Sequence, residues 1–100
     1  MSGTDAERAA IEQTVRAEYE PRISREIKEL ENEIRQRYED KIEAAVAEVL
    51  AAAEAEADDE ARRRYEVDIL DELDVDGKDI RAAYEARIQH EVNTRMAGLA

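Results

Sequence analysis

Closely spaced carboxylates around a glycine are the first feature of the sequence that could do chemistry. They lie in Asp74-Val75-Asp76-Gly77-Lys78-Asp79, and such a pattern is typical of the start of a calcium-binding EF-hand loop. With Gly77 at the sixth loop position, however, Ala83 stands where the loop needs its closing glutamate. We therefore predict a turn here, with Gly77 in the left-handed conformation and Asp79 capping the next helix. The weak metal candidates that remain are Asp74, Asp76 and Asp79.

His90 is the only histidine of the chain. A di-iron helix bundle needs a glutamate three residues before such a histidine, but Arg87 stands there. The few hydroxyl side chains show no triad-like spacing, and without cysteine there are no disulfides, thiolate nucleophiles or thiolate metal ligands. We expect His90 to be an ordinary surface residue. We also expect the protein not to be an enzyme, to have no catalytic residues and to bind no cofactor.

Four glutamates each follow a tyrosine and could gather into a carboxylate metal cage in a helical bundle. The alternative, which we favour, is that each pairs with the arginine four residues earlier and remains exposed. The only basic cluster, Arg62-Arg63-Arg64, follows three acidic residues, so we expect intrahelical ion pairs there rather than a phosphate site. The glutamates are Glu20, Glu39, Glu66 and Glu85.

These glutamates belong to a nine-residue sequence motif that occurs four times. Each copy has an apolar residue or alanine, Arg, two variable residues, Tyr-Glu, two variable residues and Ile. The copies span residues 15–23, 34–42, 61–69 and 80–88, and they contain every tyrosine. A shift of 46 residues places the first two copies on the last two. We interpret this as a duplication of two halves, about 12–50 and 58–96, with chance similarity of simple helical sequences as the alternative. The predicted interaction stripe comprises Val15, Tyr19, Ile23, Ile34, Tyr38, Ile42, Tyr65, Ile69, Ile80, Tyr84 and Ile88.

The apolar residues recur mostly at steps of four, which is helical and incompatible with the alternation of a strand. We predict a tail at residues 1–4, a single helical domain at 5–97 and a frayed end at 98–100, with Thr4 or Ser2 capping the first helix. Pro21 favours a kink or short break. At Asp58-Asp59 both a hairpin tip and an uninterrupted helix remain open.

Five steps of the stripe cover the 19 residues between equivalent tyrosines, a period of about 3.8 residues per turn, above the 3.6 of a straight helix. This disfavours a left-handed heptad coiled coil and favours right-handed supercoiling or helices crossing at about −50°. The predicted fold class is all-α, with long helices, a helical break near Asp74–Asp79 and no β-sheet. The packing is expected to be a helical hairpin or bundle, or right-handed and coiled-coil-like.

The charge balance restricts the partners. There are 27 acidic and 15 basic residues, for a net charge of −12, so free nucleic acid and anionic membranes are repelled. The acidic, lysine-poor composition without Phe or Trp resembles that of proteins from salt-loving archaea, in which acidity reflects the habitat. Neither a membrane span nor an export signal is visible. We expect a cytoplasmic, virion-associated or complex-associated protein that is not secreted.

Repetition of this kind specifies a contact surface more readily than a reaction. We therefore expect a structural or assembly protein that self-associates, as a homo-oligomer, or docks in a larger protein complex such as a stalk, filament or virion. The Tyr/Ile stripes would make the contacts. The alternative is an acidic helical adaptor or inhibitor that binds a basic protein surface, as DNA mimics do.

Overall fold

The computed structural model describes residues 4–99 and confirms the all-α prediction. Two long helices, α1 (Asp5–Ala47) and α2 (Glu54–Ala97), are joined by a short connection that contains a 3₁₀ turn at Ala51–Ala53. The described residues contain no strand. The two helices pack together as a helical hairpin.

Helix α1 begins where the sequence predicts. The backbone N–H of Glu7 donates to Thr4 Oγ1 at 3.1 Å, which satisfies one of the free donors of the first turn. Asp5 and Glu7 add negative charge at the positive end of the helix dipole. Thr4 is therefore the cap, and the alternative, Ser2, lies outside the described residues.

The chain reverses at residues 48–53, and α2 runs uninterrupted through Asp58-Asp59. Leu50 is extended, with φ −67° and ψ 147°, and its carbonyl accepts the Ala53 N–H at 2.8 Å. The place of the reversal follows from the repeat. The point between Ala51 and Ala52 lies midway between Tyr38 and Tyr65, and equally midway between Tyr19 and Tyr84.

The predicted helical break near Asp74–Asp79 is wrong, because α2 is continuous from Glu54 to Ala97. Gly77 is helical, and its cost of about 1 kcal/mol relative to alanine is too small to interrupt a long helix that is held by packed neighbours. The short break favoured at Pro21 is also absent from α1. Proline removes a hydrogen bond to the carbonyl of Ala17, but both residues are exposed, so water can satisfy that carbonyl.

Contacts divide the chain into two compact units. The first unit is Met1–Glu26 with Lys78–Ala100, of which residues 4–26 and 78–99 are described, and the second unit is Ile27–Gly77. In each unit a segment of α1 packs antiparallel on a segment of α2. Among the described residues, every buried apolar residue except Val92 belongs to a copy of the repeat. They are Val15, Ile23, Tyr84, Ile88 and Val92 in the first unit and Ile34, Tyr38, Ile42, Ala61 and Ile69 in the second.

The predicted halves correspond to the helices. Residues 12–50 cover most of α1 and the start of the connection, and residues 58–96 lie within α2. Their common origin by duplication stays a prediction.

Candidate interaction site

The four copies of the repeat meet in pairs, one pair in each unit. Copy 15–23 lies against copy 80–88 in the first unit, and we call this pair the first station. Copy 34–42 lies against copy 61–69 in the second unit, and we call this pair the second station. Because the paired segments are antiparallel, the arginine of one copy lies beside the glutamate of the other, and the two tyrosines lie beside each other.

In the first station, Arg16 donates two hydrogen bonds to the Glu85 carboxylate, at 2.7 and 2.6 Å. The reciprocal pair is looser, with Arg81 Nη1 3.7 Å from Glu20 Oε1. Between the pairs, the rings of Tyr19 and Tyr84 are 5.9 Å apart in an edge-on arrangement with an interplanar angle of 61°. Such aromatic geometry is favourable beyond the area it buries.

In the second station, both arginines are bidentate. Arg35 donates to Glu66 at 2.9 and 3.0 Å, and Arg62 donates to Glu39 at 2.9 and 2.7 Å. The rings of Tyr38 and Tyr65 are 5.5 Å apart and tilted by 50°. Fork-to-fork pairs fix geometry as well as charge, so each station specifies the register of its two segments.

In three of the four copies, an acidic residue four positions before the arginine orients its guanidinium group. The fourth copy has Gly77 at that position, and its arginine, Arg81, makes the loosest cross-helix pair. The predicted pairing of each repeat glutamate with the arginine four residues earlier is wrong. An acid before a base is the favourable order on a helix, so Arg16, Arg35 and Arg62 each take the earlier acid and leave the later glutamate to the opposite helix. The orienting pairs are Glu12–Arg16, Glu31–Arg35 and Asp58–Arg62.

Each tyrosine ring also lies close to a cation. In three copies the cation is three residues after the tyrosine, at 4.4 to 5.5 Å from the ring centroid. The third copy has Asp68 at that position, and Arg64 takes the place at 5.9 Å. Cation–π contacts at exposed sites are weak but directional. The pairs are Arg22 with Tyr19, Lys41 with Tyr38, Arg64 with Tyr65 and Arg87 with Tyr84.

The predicted interaction stripe lies along the contact between the helices in both units. Tyr19, Tyr65 and Ile80 are half-buried, and the other stripe residues are buried. In the second unit, Ile34, Tyr38 and Ile69 form a cluster against which further apolar side chains pack. The stripe side chains are thus covered by the opposite helix of the same chain. The residues packed on the cluster are Leu30, Tyr65 and Leu73.

The ion pairs and the burial of the rings shift several pKa values. The Arg16 hydrogen bonds, with a smaller effect from Gln89, lower the pKa of Glu85 from 4.5 to about 2. The pKa values of Glu39 and Glu66 are lowered by their arginine partners. Removal of the ring from water, the largest cause, raises the pKa of Tyr38 and of Tyr84. At physiological pH the three glutamates are therefore charged, and the two tyrosines keep their hydroxyl protons.

The other candidates from the sequence are not brought together. Asp74, Asp76 and Asp79 lie on a continuous helix, where steps of about 100° per residue point Asp74 away from the other two. Within residues 4–99, no group of three or more acidic or histidine side chains is arranged to hold a metal. His90 is exposed. Of the arginine cluster, Arg62 makes the predicted intrahelical pair with Asp58 but also bridges the two helices.

The clefts beside these contacts are small or open. One in the first unit, beside Tyr19, has a volume of about 170 Å³, below the roughly 300–1,000 Å³ of small-molecule sites. A broader depression of about 820 Å³ is lined by exposed charged side chains from one stretch of α2, so it is an open surface. Its lining residues are Glu56, Asp59, Glu60, Arg63 and Arg64.

Comparisons with protein-family models, with curated proteins and with solved structures gave no match. Neither α1 nor α2 contains, in its described residues, an apolar stretch that could cross a bilayer.

The pairing of copies across the helices is the part of the site that sequence reasoning missed. A signal for it was present, since the tyrosine spacings of 19, 27 and 19 residues are symmetric about the point between Ala51 and Ala52. Symmetric spacing is what an antiparallel hairpin needs to bring like copies together. A shift by 46 residues fits the same positions, and on its own it predicts a duplication rather than a pairing of copies.

Proposed function

We propose that this chain is a non-enzymatic structural or assembly protein that self-associates or docks in a larger complex. The observation that supports this most is the use of the repeat. Its arginines, tyrosines, glutamates and isoleucines hold two helices in register, so the most distinctive side chains of the chain serve architecture.

The contact surface for assembly follows from the same observation. The Tyr/Ile stripes lie between the two helices of one chain, so we propose that they build the hairpin that is presented to a partner. The partner then binds the outward sides of the helices. Charge on those sides is mixed, and the exposed large apolar residues include Val67, Leu70 and Val75.

Sedimentation velocity and light scattering over a wide range of protein concentration, in both dilute and molar salt, test the proposal. An assembly protein of this kind is expected to form a defined oligomer, or to copurify with one stoichiometric partner from its native source. A monomer under all conditions that copurifies with nothing, together with a catalytic activity of the purified chain, would contradict the proposal.

A second candidate, an acidic adaptor for a basic protein surface, is favoured by a row of exposed carboxylates along one side of α1 in the second unit. At about 100° per residue, their side chains fall within about 80° of arc around the axis of α1. Reversing Glu33 and Asp40 to arginine would abolish salt-sensitive binding to a basic partner under this alternative. The same reversal would leave self-association intact under the first proposal. The row comprises Glu29, Glu33, Asp40 and Glu43.

A further inference from the structure

The outward side of α2 in the second unit carries two exposed apolar residues between opposite charges. Val67 is 61% exposed and Leu70 is 50% exposed. Arg63 precedes them and Asp74 follows them, and both are exposed. At about 100° per residue, these four side chains fall within roughly 60° of arc. We call these four residues the α2 outer face.

This face points away from the helix contact. Tyr65 and Ile69, which pack in the core cluster, lie roughly on the opposite side of α2 by the same helical geometry. The apolar pair therefore faces away from the helix that packs on α2 in its own unit. A large exposed apolar patch with a polar rim marks a protein contact site; this patch is small, and the order of the charges around it is the stronger argument.

The face is complementary to a second copy of itself that runs in the opposite direction. From either end, the face presents a charge, then two apolar residues, then the opposite charge, and this arrangement is centred on the midpoint of Val67 and Leu70. Two antiparallel copies would place Val67 against Leu70 of the partner subunit and Arg63 against Asp74 of the partner subunit. A parallel arrangement would instead place each arginine against the same arginine, which is repulsive.

The charges beside the face have the same order. Arg64 lies on the amino-terminal side of the apolar pair and Asp71 on the carboxyl-terminal side, and both are exposed. In the antiparallel arrangement they fall on the same edge of the contact, about 3 Å apart along the helix axis at a rise of about 1.5 Å per residue. The second pair of opposite charges thus supports the same orientation as the first.

We propose that the α2 outer face binds the same face of a second copy of this chain, antiparallel and about a two-fold axis, to form a symmetric dimer. This inference rests on the proposed function and names the surface and the partner. The apolar pair supplies affinity, while the charged rim sets orientation and register. Arg63 and Asp74 also interact within their own chain, and the dimer uses them as shared rim charges.

The contact spans only about three helical turns on each copy, so it lies at the small end of specific protein interfaces. A weak dimer is therefore expected. Sedimentation equilibrium from about 10 μM to about 1 mM should show the mass rising from 11.4 kDa toward twice that value. Val67→Gln combined with Leu70→Gln should raise the dissociation constant at least about tenfold.

Val75→Gln is the matched control, because Val75 is 59% exposed but lies about 100° around α2 from the centre of the face. It should leave the dissociation constant unchanged. Circular dichroism at 222 nm checks that every variant remains helical. An equal loss of association in the control and in the double variant would overturn the assignment of this face.

Charge reversal gives the sharper test. Arg63→Asp and Asp74→Arg should each weaken self-association. In a dimer of either variant, positions 63 and 74 carry the same charge and oppose each other at both ends of the contact. An equimolar mixture of the two variants should associate again, because both pairs then become opposite, and the double variant should also recover. A mixture that behaves as the sum of two weakened variants would overturn the proposal.

The outcomes also separate this inference from the proposed function. If the wild-type chain dimerises but none of these variants changes the dissociation constant, the dimer uses another surface. The α2 outer face is then refuted while self-association stands. A wild-type chain that stays monomeric up to about 1 mM refutes both the face and the self-association.

Discussion

Replacing Ile34 by alanine should destabilise the hairpin more than removing any one ion pair of the stations. Ile34 is fully buried and belongs to the cluster with Tyr38 and Ile69. Truncation of a buried isoleucine to alanine costs about 2–5 kcal/mol, depending on how well the cavity can close. Two packed helices can move together more easily than a thick core. We therefore expect a loss near the low end, about 2–3 kcal/mol.

The comparison variant is Arg35→Gln. It removes the charge that bridges Glu31 and Glu66, but the side chains of all three residues are 38–44% exposed, where solvent screens ion pairs. Its loss in unfolding free energy should be less than about half that of Ile34→Ala. Val75→Ala is the control for truncation of an aliphatic side chain to alanine without loss of buried contacts, because Val75 is exposed. Alanine is the better helix former, so this variant should lose no stability.

Urea unfolding followed by circular dichroism, at two protein concentrations, measures these differences by linear extrapolation. The concentrations separate folding of the hairpin from any association. Equal losses for Ile34→Ala and Arg35→Gln, or a loss below about 1 kcal/mol for Ile34→Ala, would refute the view that the apolar stripe carries the stability and the ion pairs carry the register.

Three further perturbations follow from the structure. The pKa of Glu85 is lowered to about 2 from 4.5, so its stabilisation is complete above about pH 4.5 and lost as the pH falls toward 2; the stability difference between wild type and Glu85→Gln, from urea titrations, should shrink over that interval and not above it. Gly77→Ala should raise the unfolding free energy by about 1 kcal/mol, because a Cβ there meets no heavy atom within 4 Å; a loss of stability in the same titration would show that the glycine is required. Pro21→Ala should stabilise α1 by up to about 3 kcal/mol, since Pro21 is exposed within the helix; an unchanged or lower melting temperature would contradict this.

The helices themselves were predictable because their signals are local. Steps of four between apolar residues identify helix over nearly the whole chain, and Thr4 before Asp5 and Glu7 is a cap that depends only on its neighbours. The repeat also indicated most of the buried positions, because among residues 4–99 only Val92 is a buried apolar residue outside a copy.

The breaks were harder to predict because local preference competes with packing. Gly77 and Pro21 each disfavour helix, yet each lies in a helix whose flanking residues are held against the opposite helix. The actual reversal, at residues 48–53, contains neither glycine nor proline. Its position is set by which copies pair, and pairing is a property of the whole chain that no short window contains.

The partners of the repeat glutamates were missed for a related reason. On a single helix, Arg16 and Glu20 are four residues apart, so spacing alone assigns them to each other, although base before acid is the less favourable order. The tertiary contact offers Glu85 as a second acceptor for Arg16, while Glu12 already occupies its intrahelical side. Only the antiparallel alignment of two copies makes this second acceptor visible.

The pairing of the tyrosines tests the central claim, that like copies meet in two stations, most directly. The chain has four tyrosines and neither phenylalanine nor tryptophan, so the aromatic proton NMR spectrum contains only these rings and His90. With centroids 5.9 and 5.5 Å apart, we predict nuclear Overhauser effects between Tyr19 and Tyr84 and between Tyr38 and Tyr65. Effects that instead link Tyr19 to Tyr65, or the absence of any between rings, would contradict the account.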